Sequence, residues 1–393
     1  MLLPTELDMR YGCNPHQAAA RFYMRGGGDL PLQILNGAPS YINLMDALNS
    51  WQLVRELRQV LELPAAASFK HVSPAGVAVA VPLDEALRQT YFVGDVELTP
   101  LATAYARARG ADRLASFGDW IALSDTVDVA SARIIQREVS DGVIAPGYEA
   151  EALDMLKRKK DGKYPIFQMH ASYESPVVES RDLFGITLEQ ERNAFVPDDD
   201  FFANVVTHRR DLPDTARRDL TVATIAVKYT QSNSICLALD GQIIGSGAGQ
   251  QSRVHCVRLA AAKADNWHLR QHPRVRQMQF CRGLKRAEKI NAIDIFLQEE
   301  ATPAELQAWE QNFSSVPQRL SAEEKRQWLD GLAGVALSSD AFFPFRDNID
   351  RAQRSGVEYI VQAGGSVRDD LVVAAADEYG MLMINSGVRL FHH

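Results

Sequence analysis

A lysine and a histidine stand side by side at the end of a short apolar run. The run ASFKHVSPAG covers residues 67–76 and places Lys70 and His71 where a strand would end. Histidine is the usual general base at neutral pH, and a neighbouring ammonium group can stabilise a developing oxyanion. The pair therefore suggests proton removal coupled to attack on a carbonyl carbon. A histidine bonded to backbone beside a lysine at a strand end is the alternative, and the pair alone leaves it open.

Two other segments place polar and aromatic residues close together. RYGCNPHQ (10–17) holds Arg10 among polar side chains, and AFFPFRDN (341–348) sets aromatic residues beside Arg346 and Asp347. The first segment is either a solvated loop or a site for phosphate and a polar ring, with Arg10 as the ionic partner. The second is either core packing or a stacking wall for a planar heterocycle. Both alternatives stay open at this point.

Two motifs that would indicate a cofactor are incomplete. GSGAGQQSR (245–253) has Gln250 where a dinucleotide fingerprint needs glycine, and it follows a hairpin strand. His255 and Cys256 are adjacent but have no partner motif, and the zinc-deaminase pattern HxE…PCxxC is missing. The four cysteines form no CxxC pair. We therefore expect no NAD, no zinc and no other metal site, while Arg253 stays available for a polar ligand.

The composition argues against several broad classes of function. The 393 residues carry a formal net charge of −8 with a pI near 5.7, which disfavours nucleic acid or an anionic membrane as a partner. Apolar residues make up 46% and charged residues 23%, so we expect a folded chain of two or three domains. No run approaches the roughly 20 apolar residues of a membrane span, and the N-terminus lacks the features of a signal peptide. We therefore expect a cytoplasmic location.

The elements that must position these residues alternate between helix and strand. A stripe of apolar residues predicts a helix over 43–63, and AAASF predicts the strand that ends at Lys70. Ser73 and Pro74 resemble an N-cap and a first-turn proline, which predicts a short helix through GVAVAV. TVATIAVKY (221–229) predicts an apolar strand. The other predictions are helices at 82–92, 100–109, 127–138 and from near Gln251, strands at 113–123 and 142–147, a connector at 181–217, and a hairpin at 234–247 that turns at Asp240-Gly241.

The two halves of the chain repeat the same order of short motifs. SFKHVSPAG, ALSDTVD and SDGVIAPG in the first half are matched by AVKYTQSNS, ALSSDAFFPF and SGVEYIVQAGG in the second. The second copy is longer, and its extra residues fall in a polar, helix-rich stretch at about 284–330. We therefore predict an α/β fold of two duplicated units. Residues 1–200 form the first unit, which carries Lys70 and His71, and residues 201–393 form the second, with the helical insertion.

Segments spread over nearly the whole chain share one resemblance. They are RYGCNPHQ, LNGAPSYINLMDALNSWQLV, SFKHVSPAG, FGDWIALSD, REVSDGVIAPGYE, KYTQSNS, GAGQQSRVHC, SSDAFFPFRDN and RLFHH. In this order they resemble the formyltransferase that acts on 5-aminoimidazole-4-carboxamide ribonucleotide (AICAR), the transformylase part of a bifunctional purine biosynthesis protein. The resemblance implies two cytidine-deaminase-like three-layer α/β/α units without zinc. It also implies a homodimer with shared active sites.

The resemblance further implies a reaction and a set of site residues. The reaction is formyl transfer from 10-formyltetrahydrofolate to the 5-amino group of AICAR, which gives formyl-AICAR (FAICAR) and tetrahydrofolate on the way to inosine monophosphate (IMP). By this resemblance His71 is the general base, Lys70 stabilises or protonates the developing oxyanion, and Asn233 orients the carboxamide and formyl groups. The positions that match AICAR-binding residues are Arg10, Tyr11, Gly118, Asp141, Arg253, Phe342 and Arg389. The positions that match folate-binding residues are Val254, Asp347, Ser366 and Val367. At Val254 and Val367 the side chain differs from the one usual in the family. Some members bind a potassium ion, which stays an open alternative.

The chain departs from the bifunctional form in one respect. RYGCNPHQ begins at residue 10, so the resemblance implies that the IMP cyclohydrolase domain is missing. We then expect formyl transfer without ring closure, so either a separate IMP cyclohydrolase as a partner or a removed domain must account for cyclisation. The main alternative is a catalytically silent transformylase-like partner of such a cyclohydrolase, although Lys70, His71 and Asn233 are intact. A zinc-dependent nucleobase deaminase and an NAD oxidoreductase are weaker alternatives, because their motifs are incomplete.

Overall fold

The computed structural model describes residues 5–393, and its centre is one sheet of eleven strands. The other strands pair into three separate two-stranded sheets, β1 with β2, β9 with β10, and β13 with β14. In chain order the strands are β1 (Glu6–Met9), β2 (Ala20–Tyr23), β3 (Leu32–Asn36), β4 (Ala65–Lys70), β5 (Ser73–Val79), β6 (Asp119–Leu123), β7 (Ser140–Ala145), β8 (Ile166–Met169), β9 (Val178–Leu183), β10 (Ile186–Glu191), β11 (Ile235–Leu239), β12 (Gln242–Gly247), β13 (Gln279–Phe280), β14 (Phe313–Ser315), β15 (Val335–Ser339), β16 (Val357–Gln362) and β17 (Leu382–Asn385).

Helices cover both faces of this sheet, so the fold is α/β with three layers. The helices are α1 (Tyr41–Leu61), α2 (Glu85–Thr90), α3 (Pro100–Ala111), α4 (Val129–Arg137), α5 (Ala150–Lys157), α6 (Asp214–Lys228), α7 (Arg253–Leu269), α8 (Pro273–Arg276), α9 (Arg286–Leu297), α10 (Pro303–Glu310), α11 (Ala322–Leu329), α12 (Asp347–Gln353) and α13 (Asp369–Glu378), with short 3-10 turns at Lys159–Gly162 and Asp200–Phe202. Alternate residues of β4 face opposite sides, since Ala66 joins one buried core and Ala67 the other. Helices α1 and α6 pack against one face and α3 and α7 against the other.

The same order of elements occurs in both halves of the chain. A helix, an antiparallel hairpin, a second helix and three parallel strands run from α1 to β8 and again from α6 to β17. In each half the second helix packs directly over a hairpin glycine. A Cβ on Gly76 would lie 2.0 Å from the carbonyl oxygen of Ala108 in α3, and one on Gly245 would lie 2.1 Å from that of Ala260 in α7. Only glycine allows this close approach of helix and strand.

The two halves of the sheet join where β5 pairs with β12. Gln242 lies opposite Ala78 in an antiparallel arrangement, and the sheet order is β17-β16-β15-β11-β12-β5-β4-β6-β7-β8-β3. Buried side chains reinforce this seam. The Tyr91 hydroxyl donates to Oε1 of Gln242 at 2.9 Å and accepts a hydrogen bond from Nε1 of Trp267 at 2.7 Å.

The strand directions bring many loops to one edge of the sheet. This edge contains the turn between β4 and β5, the starts of β6, β7 and β11, and the ends of β12, β15, β16 and β17. We call it the Lys70 edge, because β4 ends there at Lys70. Loops at a sheet edge are common places for ligand sites in α/β folds.

The helix predicted after Ser73 is wrong, because residues 73–79 form strand β5. The segment alternates, with Val77 and Val79 in one buried core and Ala78 in the other. This two-residue period, the β-branched residues and the antiparallel pairing with β4 favour a strand over a helix. A proline near the start of a strand is also tolerated.

The strand predicted at 221–229 is also wrong, because this segment lies in helix α6. Every residue from Asp219 to Lys228 is buried, and a short buried helix segment rich in apolar residues resembles a buried strand in the sequence. Lys228 therefore does not correspond to Lys70. It ends a helix, and its Nζ contacts Oε1 of Glu56 at 2.7 Å. In the sheet, β11 occupies the place in the second half that β4 occupies in the first.

The other predicted elements differ less from the structure. The strand predicted at 113–123 begins only at Asp119, and the predicted connector contains the exposed hairpin of β9 and β10. The hairpin predicted at 234–247 is confirmed, with both Asp240 and Gly241 at positive φ. The helical stretch at 284–330 is present as α9, α10 and α11, which share a small buried core around Phe296 and Trp309. No helix among residues 5–393 has the length and apolar character that crossing a membrane requires.

Candidate active site

His71 occupies a tight turn at the end of the β4–β5 hairpin. Lys70 pairs with Ser73, so His71 and Val72 alone form the loop. Their φ angles are 54° and 58°, as in the two-residue turn that matches the twist of a hairpin. Left-handed backbone is unfavourable for residues with a Cβ and more so for a β-branched valine. The turn therefore needs support from its surroundings, and it presents His71 at an exposed position.

That support comes from Asp46, a carboxylate in the middle of helix α1. Asp46 is only 6% exposed, and its Oδ1 accepts a hydrogen bond from the Val72 backbone amide at 2.7 Å. Burial raises the pKa of Asp46, and the Val72 hydrogen bond and the nearby His71 oppose this rise. Asp46 thus holds the turn in place and puts a negative group close to the imidazole. Asp46 was not singled out from the sequence. The available signal was a carboxylate between Leu44 and Ala47, which are both buried in the helix.

Lys70 reaches across the sheet edge towards the start of β6. Its Nζ donates to the carbonyl oxygen of Phe117 at 2.7 Å, just before Gly118, whose φ is +74°. The start of β6 is fixed in turn by the buried Asp119, whose Oδ2 accepts a hydrogen bond from Ser68 at 2.5 Å. Lys70 and Gly118 therefore lie together, as the resemblance implies.

Asp141 joins the same group from the start of β7. Its Oδ1 pairs with Nζ of Lys160 at 2.9 Å, and its charge raises the pKa of Asp46. Asp141 is about half-exposed and His71 is exposed, so this part of the Lys70 edge is open to solvent in the isolated chain. Four of the predicted site residues thus gather around the β4–β5 turn: Lys70, His71, Gly118 and Asp141.

Asn233 approaches the same edge from the second half of the chain. It precedes β11, and the backbone amide of nearby Gln231 donates to Oγ of Ser73 at 3.3 Å, which ties this loop to the β4–β5 turn. Oδ1 of Asn233 accepts a hydrogen bond from Arg253 at 2.8 Å. Arg253 also forms a buried ion pair with Asp340. Its charge is therefore compensated within the chain, and the guanidinium orients the Asn233 amide.

The C-terminal tail packs against this loop. The Ser232 backbone amide donates to the carbonyl oxygen of His392 at 3.0 Å, and the His392 amide donates to Oγ of Ser232 at 3.0 Å. The guanidinium of Arg389 lies 4.8 Å from the ring centre of Phe391 and is exposed. The tail thus brings a cation to the Lys70 edge.

The predicted folate-side residues occupy neighbouring loops of this edge. Asp347 begins helix α12, beyond the half-exposed Phe342, and both follow β15. Ser366 and the fully exposed Val367 follow β16. Val254 is the second residue of α7, beyond the end of β12. The strand order therefore puts these loops on the edge that also carries Asn233.

Arg10 and Tyr11 stand in the loop between β1 and β2, which pair with each other and not with the main sheet. The Arg10 guanidinium lies 5.9 Å from the ring centre of Tyr11. Both were predicted to bind the nucleotide. Their hairpin packs against the main body through Met9, which lies in the same buried core as Phe69. Within residues 5–393, no group of three or more His, Cys, Asp and Glu side chains converges as a metal site would require.

Comparison with known protein families decides where this chain belongs. The sequence model of the family described as AICARFT/IMPCHase bienzyme matches residues 2–263. The chain belongs to this family. The match spans the β4–β5 turn and the loop of Asn233, and it ends before β15, β16 and β17, whose ends complete the Lys70 edge.

Alignments with individual relatives extend the similarity to 98% of this chain. The chain is 30% identical over 394 residues to the bifunctional purine biosynthesis protein PurH of Xylella fastidiosa. It is 32% identical over 395 residues to PurH of Xanthomonas campestris and 33% identical over 389 residues to PurH of Roseobacter denitrificans. Each alignment covers 98% of this chain but only 58% or 59% of the relative. The chain thus spans a little more than half the length of these relatives.

Proposed function

We propose that this chain is an AICAR formyltransferase, which transfers the formyl group of 10-formyltetrahydrofolate to the 5-amino group of AICAR in purine biosynthesis. The observation that carries the proposal is the meeting of Lys70 and His71 with the Asn233 loop, through the hydrogen bond from Gln231 to Ser73. Membership of the AICARFT/IMPCHase family and the purine biosynthesis role named for the PurH relatives support the same reaction.

The proposed chemistry uses the three groups in turn. The AICAR amine is a weak nucleophile, because its lone pair delocalises into the electron-poor imidazole carboxamide. His71 accepts a proton from this amine while the amine nitrogen bonds to the formyl carbon. Lys70 stabilises the oxyanion that forms, and Asn233 orients the carboxamide and formyl groups. The bond from the formyl carbon to folate nitrogen N10 then breaks, and the proton ends on that nitrogen, giving tetrahydrofolate.

The remaining site residues divide between the two substrates. We propose that the AICAR nucleotide contacts Arg10, Tyr11, Gly118, Asp141, Arg253, Phe342 and Arg389. We propose that the folate contacts Val254, Asp347, Ser366 and Val367, which lie at neighbouring loops. Arg10 and Arg389 are the proposed phosphate partners on grounds of charge.

We propose that the site is shared between two copies of the chain in a homodimer. Arg10 lies in a separate hairpin, and the Lys70 edge is open around His71 and Asp141. A second copy could cover this open side of the site and exclude water from the reaction. Exclusion of water strengthens electrostatic stabilisation of the oxyanion. Sedimentation velocity measures the oligomeric state of the chain, and a monomer with full formyl transfer would contradict shared sites.

The two halves are proposed to be duplicated cytidine-deaminase-like units, at residues 1–200 and 201–393. The repeated element order and the paired glycines Gly76 and Gly245 support this origin. The pairing differs from the one predicted from sequence in one respect, since β4 corresponds to β11 and not to the segment around Lys228.

We further propose that these 393 residues formylate AICAR but do not close the ring of FAICAR. The chain spans 58% of the Xylella fastidiosa relative, which is bifunctional. A separate IMP cyclohydrolase would then complete the route. Incubation of the purified chain with FAICAR tests this, and formation of IMP would contradict it.

Formyl transfer is tested by mixing the chain with AICAR and 10-formyltetrahydrofolate and following the release of tetrahydrofolate. We expect turnover by the wild type and a loss of at least about 10²-fold with His71→Ala, the lower range for a general base. His170→Ala is the matched control, because His170 is exposed and follows the end of β8, at the opposite edge of the sheet. An unchanged rate with His71→Ala would remove His71 from the mechanism. A folded wild type without turnover would favour the silent-partner alternative.

A further inference from the structure

A small cavity lies between the first half of the chain and the helical insertion, with residues of α2, α8 and α9 in its lining. Its volume is about 70 Å³, which is room for roughly five water-sized groups. Helix α9 supplies one wall with Ile290 and Ile293, and most of the lining is carbon. The other lining residues are Gln89, Thr90, Phe92, Arg113, Arg270, Val275, Arg276 and Phe280.

Three arginines and no carboxylate line this cavity. Arg113 is 4% exposed and pairs with Glu138 at 2.8 Å, but the same carboxylate also pairs with Arg109 and Arg286. The local balance is therefore cationic, in a chain whose formal net charge is −8.

The hydrogen-bond partners of the other two lining arginines are neutral, and the carboxylates Asp112 and Asp294 act on the charge of Arg270 only from outside this lining. Arg270 donates to the backbone carbonyl oxygens of Gly110 and Ala111. Arg276 donates to the backbone carbonyl oxygen of Gln271 at 2.9 Å and to Oε1 of Gln89 at 3.1 Å. Hydrogen bonds to carbonyl groups satisfy donors but do not neutralise the positive charge.

The charge that the nearby carboxylates do not balance has a cost that an anion in the cavity would offset. Burial lowers the pKa of Arg113 and of Arg270, because a cation loses hydration there. The buried Nε atoms of both side chains have no acceptor among the described residues. A buried cation is tolerated when it is paired and hydrogen-bonded. One carboxylate offers two acceptor oxygens, one for each of two guanidinium groups.

We propose that this cavity binds a small carboxylate attached to a flat apolar body, such as an aromatic monocarboxylate. The carboxylate would pair with Arg113 and Arg270, and the apolar body would lie among Phe92, Phe280 and Ile293. Ligand pockets commonly combine mostly apolar walls with a few polar groups that fix orientation. The lining contains none of the residues proposed for formyl transfer, so this site does not depend on that reaction.

Benzoate and its neutral isostere benzamide test the proposal on the unmodified chain. We expect saturable benzoate binding by ligand-observed NMR and calorimetry, and at least about ten-fold weaker binding of benzamide, which lacks the charge. Equal affinity for the two probes would overturn recognition of an anion. No saturable binding of either would overturn the site.

Two variants of helix α9 locate the binding. Ile293→Phe fills the cavity, so benzoate affinity should fall at least about ten-fold. Ile295→Phe makes the same change on the same helix outside the lining and should leave the affinity unchanged. Circular dichroism melts check that both variants are folded. Lys70→Ala should bind benzoate like the wild type, which separates this site from formyl transfer. Unaltered benzoate binding in folded Ile293→Phe would show that the molecule binds elsewhere.

Discussion

Replacing Asp46 should slow formyl transfer while leaving the chain folded. In Asp46→Ala the Val72 amide loses its 2.7 Å charge-assisted hydrogen bond, which contributes about 1.5–3 kcal/mol. The same turn holds Val72 at a φ of 58°, a left-handed conformation that costs roughly 1–2 kcal/mol. Without Asp46 the strain is no longer offset, and the turn should leave its hairpin geometry for most of the time. A shift of about 2 kcal/mol in this local equilibrium lowers the population of the competent turn roughly 30-fold.

The expected result is a fall in kcat of about 10- to 30-fold, with a much smaller change in the KM for AICAR. Asp46→Asn keeps an acceptor oxygen in the same place, so it should recover a large part of the lost kcat. Steady-state rates of tetrahydrofolate release measure both parameters, and thermal melts confirm folding. A folded Asp46→Ala protein with wild-type kcat would refute the idea that this carboxylate positions His71.

Two further predictions concern stability. Gly76→Ala should destabilise the chain by about 1–3 kcal/mol in urea unfolding, because the new Cβ would lie 2.0 Å from a carbonyl oxygen of α3, whereas Gly26→Ala, with no atom within 4 Å, should be close to neutral. Burial alone would raise the pKa of Glu138, but the arginines around this carboxylate lower the pKa to about 2. The ionised Glu138 therefore stabilises the fold above the unfolded pKa of about 4.3. This stabilisation is lost as the pH falls towards 2. Arg286→Gln should therefore reduce the drop in Tm between pH 5 and pH 2, and Arg326→Gln, on an exposed pair, should not; an equal drop in all three proteins would contradict this account.

The sequence predicted elements well where one face of the element is polar. Helix α1 shows a clear apolar stripe, and the hairpin at 234–247 has the turn residues Asp240 and Gly241. The prediction failed for β5, where Ser73 and Pro74 imitate a helix start, and for α6, whose residues from Asp219 to Lys228 are all buried. In both segments tertiary packing, and not local pattern, decides the conformation.

Adjacent residues predicted one part of the candidate site, and the family resemblance predicted most of the rest. Lys70 and His71 stand together in the sequence, so a role for the pair could be proposed directly. The role of Asp46 depends on α1 passing beneath a turn that lies 26 residues further along. The compensation of Arg253 by Asp340, across 87 residues, is likewise a product of the sheet order. Such pairings follow from topology, which short motifs do not encode.

The seam between β5 and β12 also limits how this molecule can move. Hinge closure requires a few backbone torsions that can rotate freely between two rigid bodies. Here backbone hydrogen bonds cross the boundary, and so do the hydrogen bonds among the buried side chains of Tyr91, Gln242 and Trp267. The two halves therefore form one rigid unit. The spacing between His71 and Asn233 is therefore set when the chain folds.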